Sequence, residues 1–283
     1  LFIVLIDYFV YSVQILNSKV KFVKFCKKME KNLFKNKNVL ITGASKGLGL
    51  TCAENFYKLG SNIFLSGREE KNLKKLKNKN KKKINYFLGD LTTERNLNKF
   101  IGEIKKKFKR IDIIIHCMGG GLGLKDPLLK KNEFLKLHQV NLGVASELNR
   151  MLFATMNKKS SFILHVGSTA SVEAIGSVGY NTVKSSVVAY VKSLATYLIK
   201  KNIYVTGILP GAFIGKENSF QRLKKNNSKA YKEFIEKKLP RRKIGTSQEL
   251  MPLIFLLCST NGSMLAGSSI SIDACETKAY NFY

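Results

Sequence analysis

At 283 residues the chain is long enough for one large α/β domain with a buried core and short for two independent ones. Hydrophobic residues make up 45%, with 21 glycines against 4 prolines, which excludes a disordered chain and fits a globular protein with many tight turns. Lysine and arginine outnumber aspartate and glutamate by 49 to 19, a net charge of +30 that raises nucleic acid, anionic membrane or acidic substrates as partners. The lysine excess runs with asparagine and isoleucine along the whole chain, as a compositional bias does. Neither a paired Cys/His finger nor an aromatic RNA-binding strand is present, so no nucleic-acid partner is expected. The five cysteines (Cys26, Cys52, Cys117, Cys258, Cys275) are odd in number and have no CxxC spacing, and His116, His138 and His165 lack metal-ligand spacing. No disulfide framework and no metal is predicted, and a reducing, cytoplasmic setting is expected.

Residues 1–36 read as an N-terminal extension. Residues 1–16 are apolar but interrupted by Asp7, and five lysines follow between Lys19 and Lys28. A membrane span needs about 20 apolar residues, and no small-residue cleavage site marks a secretory signal. Two readings stand. One is a weak membrane anchor that keeps the domain on the cytoplasmic side, so that membrane association depends on residues 1–16. The other is an upstream segment without a fold role, the domain beginning near Met29.

From residue 37 to 283, short β-branched runs alternate with longer amphipathic stretches, the signature of βαβ units. The fold class expected is α/β, a Rossmann-type doubly wound parallel sheet of about seven strands in a single domain. Strands are expected at 38–42, 62–66, 84–88, 111–117, 161–166, 203–208 and 269–272. Helices are expected near 48–59, 69–77, 92–108, 132–156, 179–200 and 247–259. Residues 212–246 break the alternation with a charged, weakly patterned insertion, a candidate lid.

After the first strand comes Thr42-Gly43-Ala44-Ser45-Lys46-Gly47-Leu48-Gly49, opening a helix. Gly43 permits the tight turn, Gly47 lets backbone approach a pyrophosphate and Gly49 lets helix and strand pack closely. The helix N-terminus then offers N–H groups and a positive dipole end to the anion. At the end of the second strand, where NAD enzymes place a carboxylate for the ribose 2′-OH, the chain reads Ser66-Gly67-Arg68, with no acid until Glu69. Arg68, joined by Lys46, suits a 2′-phosphate, so NADP(H) is favoured over NAD(H). Further on, Tyr180-Asn181-Thr182-Val183-Lys184 sets a phenol and an ammonium one helical turn apart. An ammonium beside a tyrosine favours the phenolate, which predicts a Tyr180 pKa lowered from about 10 and a usable general acid/base.

With these motifs in this order, residues 37–276 resemble the short-chain dehydrogenase/reductase family, in particular its 3-oxoacyl-acyl-carrier-protein reductase-like members. The resemblance implies a cofactor turn at 43–49 and an adenine-contacting turn at Gly89-Asp90-Leu91. It implies a helix asparagine at Asn141, a catalytic serine at Ser168, the catalytic pair Tyr180 and Lys184, and a nicotinamide-side turn at Pro210-Gly211. It further implies that Tyr180 passes a proton to the substrate oxygen, that Ser168 orients that oxygen, and that Lys184 holds the nicotinamide ribose. Asn141 would anchor a water that links Lys184 to solvent. Three departures stand out. His116-Cys117-Met118-Gly119 replaces the family's Asn-Asn-Ala-Gly, leaving Gly119 for backbone contact with the cofactor. Only twelve residues separate Ser168 from Tyr180, with Ser171 as the alternative serine. Gly215 stands where a threonine is frequent.

The variable loops 119–130, 169–177 and 212–240, with Leu122, Leu124, Ile175, Phe213 and Phe220 among many lysines, would shape the pocket for a small carbonyl or alcohol substrate. Three readings follow: a reductase of 3-oxoacyl groups, with Lys158, Lys159, Lys200 and Lys201 docking an acyl-carrier protein; an enzyme acting on a sugar derivative; or a catalytically silent dinucleotide sensor of the same fold. The apolar side of the 179–200 helix (Val183, Val187, Val191, Leu194, Leu198) and the resemblance together imply a homodimer or homotetramer.

Overall fold

The computed structural model describes residues 33–280, so the anchor or upstream reading of residues 1–32 lies outside the described residues. The main-chain order is β1 (Asn38–Thr42), α1 (Gly47–Lys58), β2 (Asn62–Gly67), α2 (Glu70–Lys79), β3 (Ile84–Leu88), α3 (Glu94–Lys107), β4 (Ile113–His116) and α4 (Lys131–His138). It continues with α5 (Val144–Leu152), β5 (Ser161–Val166), α6 (Val178–Leu198), β6 (Ile203–Pro210), β7 (Phe213–Ile214), α7 (Ser219–Asn226) and α8 (Ser228–Lys238), then β8 (Gly245–Thr246), α9 (Met251–Leu257) and β9 (Ser269–Ile272).

Seven strands form one sheet in the order β3-β2-β1-β4-β5-β6-β9, every neighbouring pair parallel, with Leu40 opposite both Phe64 and Ile114. The alternation of side chains along each strand sends successive residues to opposite faces. Val39, Ile41, Ile63, Leu65 and Ile115 pack under α1, α2 and α9. Leu40, Phe64, Ile114 and Ile163 pack under α3, α5 and α6. Both faces are covered, which is why the strands read as nearly continuous apolar runs. The single amphipathic stretch expected over 132–156 is divided: a π-helical turn at Gln139–Gly143 separates α4 from α5. The last expected helix is confined to Met251–Leu257. Phe34, placed by sequence in the extension, is 1% exposed and packs on Phe56 and Phe255 at ring distances of 5.0 and 5.4 Å.

The chain order reverses between β1 and β4, so a crevice opens beyond their C-terminal ends, the place where doubly wound sheets take ligands. The insertion after β6 is ordered. Its helices α7 and α8 and the β7–β8 pair enclose a small core of Tyr231, Leu239 and Ile244. Among the described residues no helix is long and apolar enough to cross a membrane.

Candidate active site

The crevice is a cavity of about 890 Å³ lined by the glycine turn, the ends of β2, β4, β5 and β6, the 119–125 loop and the start of α7. Gly43 turns the chain at φ +64°, and a β-carbon there would stand 2.9 Å from Met118 N, so only glycine fits. Ser45 packs on Gly67, and buried Asn72 donates to Ser45 O at 2.8 Å, which fixes the turn. Helix α1 then begins at Gly47 with no side-chain cap and no acid in its first turn. Its positive end faces the cavity beside Leu48 and Gly49. The insertion after β6 sits on this turn, Gly47 N donating to Lys216 O at 2.7 Å. A backbone cradle, an uncapped helix end and an elongated crevice are what a dinucleotide pyrophosphate requires.

One end of the cavity is strongly cationic. Lys46, Arg68 and Arg222 line it together with Glu69, Asp90 and Leu91. Lys46 pairs with Glu69 at 2.6 Å. That hydrogen bond first, and then the charges of Lys46, Arg68 and Arg222, hold the Glu69 carboxyl below its usual range. Arg222 was not anticipated; inside a lysine-rich insertion its sequence carries no distinguishing signal. Its Nη1 donates to Glu217 O at 2.6 Å, holding it at the edge of the insertion. Asp90 Oδ1 accepts from Thr92 N (3.0 Å) and Thr92 Oγ1 (2.8 Å), so this carboxylate stiffens its own turn.

At the other end the four expected catalytic side chains converge. The π-helical turn brings Asn141 inward. It accepts from Gly120 N (3.0 Å) and donates to Gly120 O (3.0 Å) and Leu137 O (2.9 Å). A β-carbon at Gly119 would stand 2.8 Å from Asn141 Oδ1 and 3.1 Å from Lys184 Nζ, so the asparagine and the lysine meet across this glycine. Lys184 is 3% exposed, and its Nζ donates to Val166 O at 3.0 Å. Tyr180 lies one turn earlier on α6, its ring centroid 5.8 Å from that Nζ, and its phenol hydrogen-bonds with Ser168. Ser171 Oγ is buried without a partner among the described residues, so Ser168 is the serine that engages Tyr180. Pro210 and Gly211 close the cavity at the end of β6.

The electrostatics differ from the simple expectation of a lysine lowering its neighbour. Burial pushes the Tyr180 phenol up, partly offset by the Ser168 hydrogen bond. Burial likewise pulls the Lys184 ammonium down to about 8, the Cys117 thiol partly opposing. Desolvation is the largest cause for both groups, and residue spacing alone does not reveal it.

His116, in the place of a family asparagine, anchors a buried network. Its Nε2 meets Asn149 Oδ1 at 2.9 Å. Asn149 Nδ2 reaches His165 Nε2 (3.3 Å) and donates to Tyr190 OH (3.2 Å). The two imidazoles lie 4.6 Å apart. Burial drives the His116 pKa down to about 4, the Asn149 bond opposing. His165 is lowered well below its ordinary value by burial, then by the charges of His116 and Lys184. Burial disfavours the charged form of both rings, and through Asn149 they tie β4 to β5.

The sequence model of the short chain dehydrogenase family matches residues 37–225. A 3-oxoacyl-acyl-carrier-protein reductase of Aquifex aeolicus is 28% identical over 243 residues, covering 83% of this chain and 94% of that protein. A dehydrogenase/reductase SDR family member 4 of Caenorhabditis elegans is 25% identical over 247 residues, covering 84% and 94%. Among solved structures, L-sorbose reductase of Gluconobacter frateurii, complexed with NADPH and L-sorbose, superposes with a TM-score of 0.78 at 25% identity, covering 87% of this chain and 98% of that one. The chain therefore belongs to the short-chain dehydrogenase/reductase family and is a nicotinamide-dependent oxidoreductase.

Proposed function

We propose that this protein is an NADP-dependent reductase of a carbonyl carried on a largely apolar substrate, with Tyr180 as its general acid/base. The observation that carries this reading is the convergence of buried Lys184, Asn141 and the Ser168-bonded Tyr180 at the end of the cavity opposite the Lys46–Arg68–Arg222 cluster. When bound, the dinucleotide supplies or accepts the hydride. Residues 43–49, including Ser45, Leu48 and Gly49, cradle its pyrophosphate. Lys46, Arg68 and Arg222 would hold the 2′-phosphate, Asp90 and Leu91 the adenine, and Gly119, Pro210 and Gly211 the nicotinamide. Ser168 orients the substrate oxygen and Tyr180 donates the proton to it. Lys184, held by Val166 O and adjoining Asn141, stands on the route by which that proton is replaced.

An apolar substrate is supported by the apolar side chains that line the cavity away from the cationic cluster, Leu122, Leu124 and Phe213, with Leu122 46% exposed. This favours a 3-oxoacyl group, as named for the Aquifex relative, over the sugar named for the Gluconobacter structure. The four lysines expected to dock a carrier protein do not serve. Lys158 and Lys159 precede β5, and Lys200 and Lys201 precede β6. They therefore lie at the N-terminal edge of the sheet, about 17 Å of strand away from the catalytic end. An acidic carrier would meet Lys125 at the cavity rim instead. A second copy of the chain, pairing along α6, would cover Tyr197, which is 66% exposed.

Steady-state reduction of a panel of 3-oxoacyl thioesters and ketoses, with NADPH and NADH in parallel, tests the proposal. Turnover of the thioesters with NADPH is expected. Binding of a dinucleotide with no turnover across the panel would establish the silent sensor in its place.

A further inference from the structure

The edge of the sheet opposite the cavity carries a charge pattern that the function leaves unused. The segments 35–37, 79–83, 107–111, 157–160 and 199–202 lead into β1, β3, β4, β5 and β6. Their 21 residues contain thirteen lysines and arginines and no aspartate or glutamate. At the chain-wide frequency of 49 in 283, about four would be present. A uniform compositional bias does not produce this concentration; the topology gathers it.

The bases form a row. In sheet order the strands β3, β2, β1, β4, β5 and β6 are neighbours, and at about 4.8 Å per strand the row is about 24 Å wide. The segment before β2 has no base, but Lys83 fills the gap, its Nζ donating to Gly60 O at 2.9 Å and lying 3.4 Å from Asn36 Oδ1. Next along the row, Lys37 and Arg110 both approach Asp112, at 3.7 and 3.6 Å. Lys158 and Lys201 then share the Phe153 ring at 4.3 and 5.9 Å. Among the described residues Asp112 is the one carboxylate with which the thirteen form ion pairs, and it is 1% exposed. All but Lys37 and Lys83 are exposed. Helix C-termini also point to this edge and favour cations, but each offsets only about half a charge. Lys81, Lys82, Lys109, Lys158 and Lys159 lie beyond any helix.

We propose that this edge is a docking surface for an anionic lipid bilayer, against which the chain lies with its cofactor cavity facing solvent. Two observations select a bilayer over other polyanions. The basic segments offer no stacking platform for bases, their one aromatic being Phe108, 3% exposed. The chain also enters the described body at this edge, where Ser61 Oγ donates to Phe34 O at 2.8 Å. The residues leading to that point are sixteen apolar-rich ones and then five lysines within 19–28. One apolar element combined with a polybasic patch is the pairing that gives stable peripheral attachment.

The test is co-sedimentation of the full chain with phosphatidylcholine vesicles, with and without about 30% phosphatidylserine, at about 0.1 M and about 0.5 M salt. Binding at least tenfold tighter to the anionic vesicles, and abolished by the higher salt, is expected. At about fivefold per lysine near the surface, the variant Lys82→Glu, Lys109→Glu, Lys158→Glu, Lys201→Glu should lose at least a hundredfold. The same four positions changed to Gln should lose less, with turnover retained in both. A control with the same charge change elsewhere, Lys74→Glu, Lys131→Glu, Lys225→Glu, Lys229→Glu, should lose no more than about threefold. Equal loss in edge and control variants would reduce the effect to net charge and overturn the proposal. So would equal binding to neutral vesicles, or tighter capture of a duplex oligonucleotide through the same four lysines.

Discussion

Replacing His116 by Asn should flatten the acid side of the stability curve. In the folded chain His116 is neutral down to about pH 4, whereas in the unfolded chain it takes up a proton below about 6.5. Lowering the pH through that window therefore favours the unfolded state, and the stability lost reaches about 3 kcal/mol below pH 4. At pH 5 the loss is about 2 kcal/mol, or roughly 4–8 °C in melting temperature for a domain of this size. The ring faces His165 across 4.6 Å and is hydrogen-bonded to Asn149, with Tyr190 and Lys184 the other titratable groups around the pair. His165 acts in the same direction and remains in the variant. Urea unfolding at pH 7 and pH 5 avoids most carboxylate titration. Wild type should lose about 2 kcal/mol more than His116→Asn over that interval. Equal losses would refute the assignment of a buried, neutral His116.

Gly119→Ala places a methyl 2.8 Å from Asn141 Oδ1 and 3.1 Å from Lys184 Nζ. Turnover should fall about a hundredfold while the melting temperature changes little, as kinetics and a thermal melt will show. Arg222→Ala should weaken NADPH binding about tenfold and leave NADH unchanged, read by fluorescence titration of each. Phe34→Ala empties a site bounded by Phe56 and Phe255 and should cost about 3–5 kcal/mol in denaturant unfolding.

The sheet was legible because its central parallel strands are buried on both sides and each strand is flanked by turns. The seven strands observed lie within two residues of the stretches expected from runs such as 38–42 and 161–166. The glycine turn and the Tyr180–Lys184 pair were legible because helix geometry fixes which residues share a face. The π-helical turn at Asn141 was not, since one extra residue in a helical repeat leaves apolar periodicity nearly intact over 132–156. Nor was the sign of the Tyr180 shift, which follows from how deeply the phenol itself is buried. Arg222 and the basic edge depend on which segments the topology brings together, and in a chain with 49 bases no local pattern marks them.

The central claim is that Tyr180 carries the proton in a cavity that binds the dinucleotide without it. Turnover and NADPH affinity of Tyr180→Phe, measured side by side, test it most directly. A loss of turnover of about 10²–10⁴-fold is expected, with the dissociation constant within about threefold of wild type. Turnover that survives the substitution would contradict it.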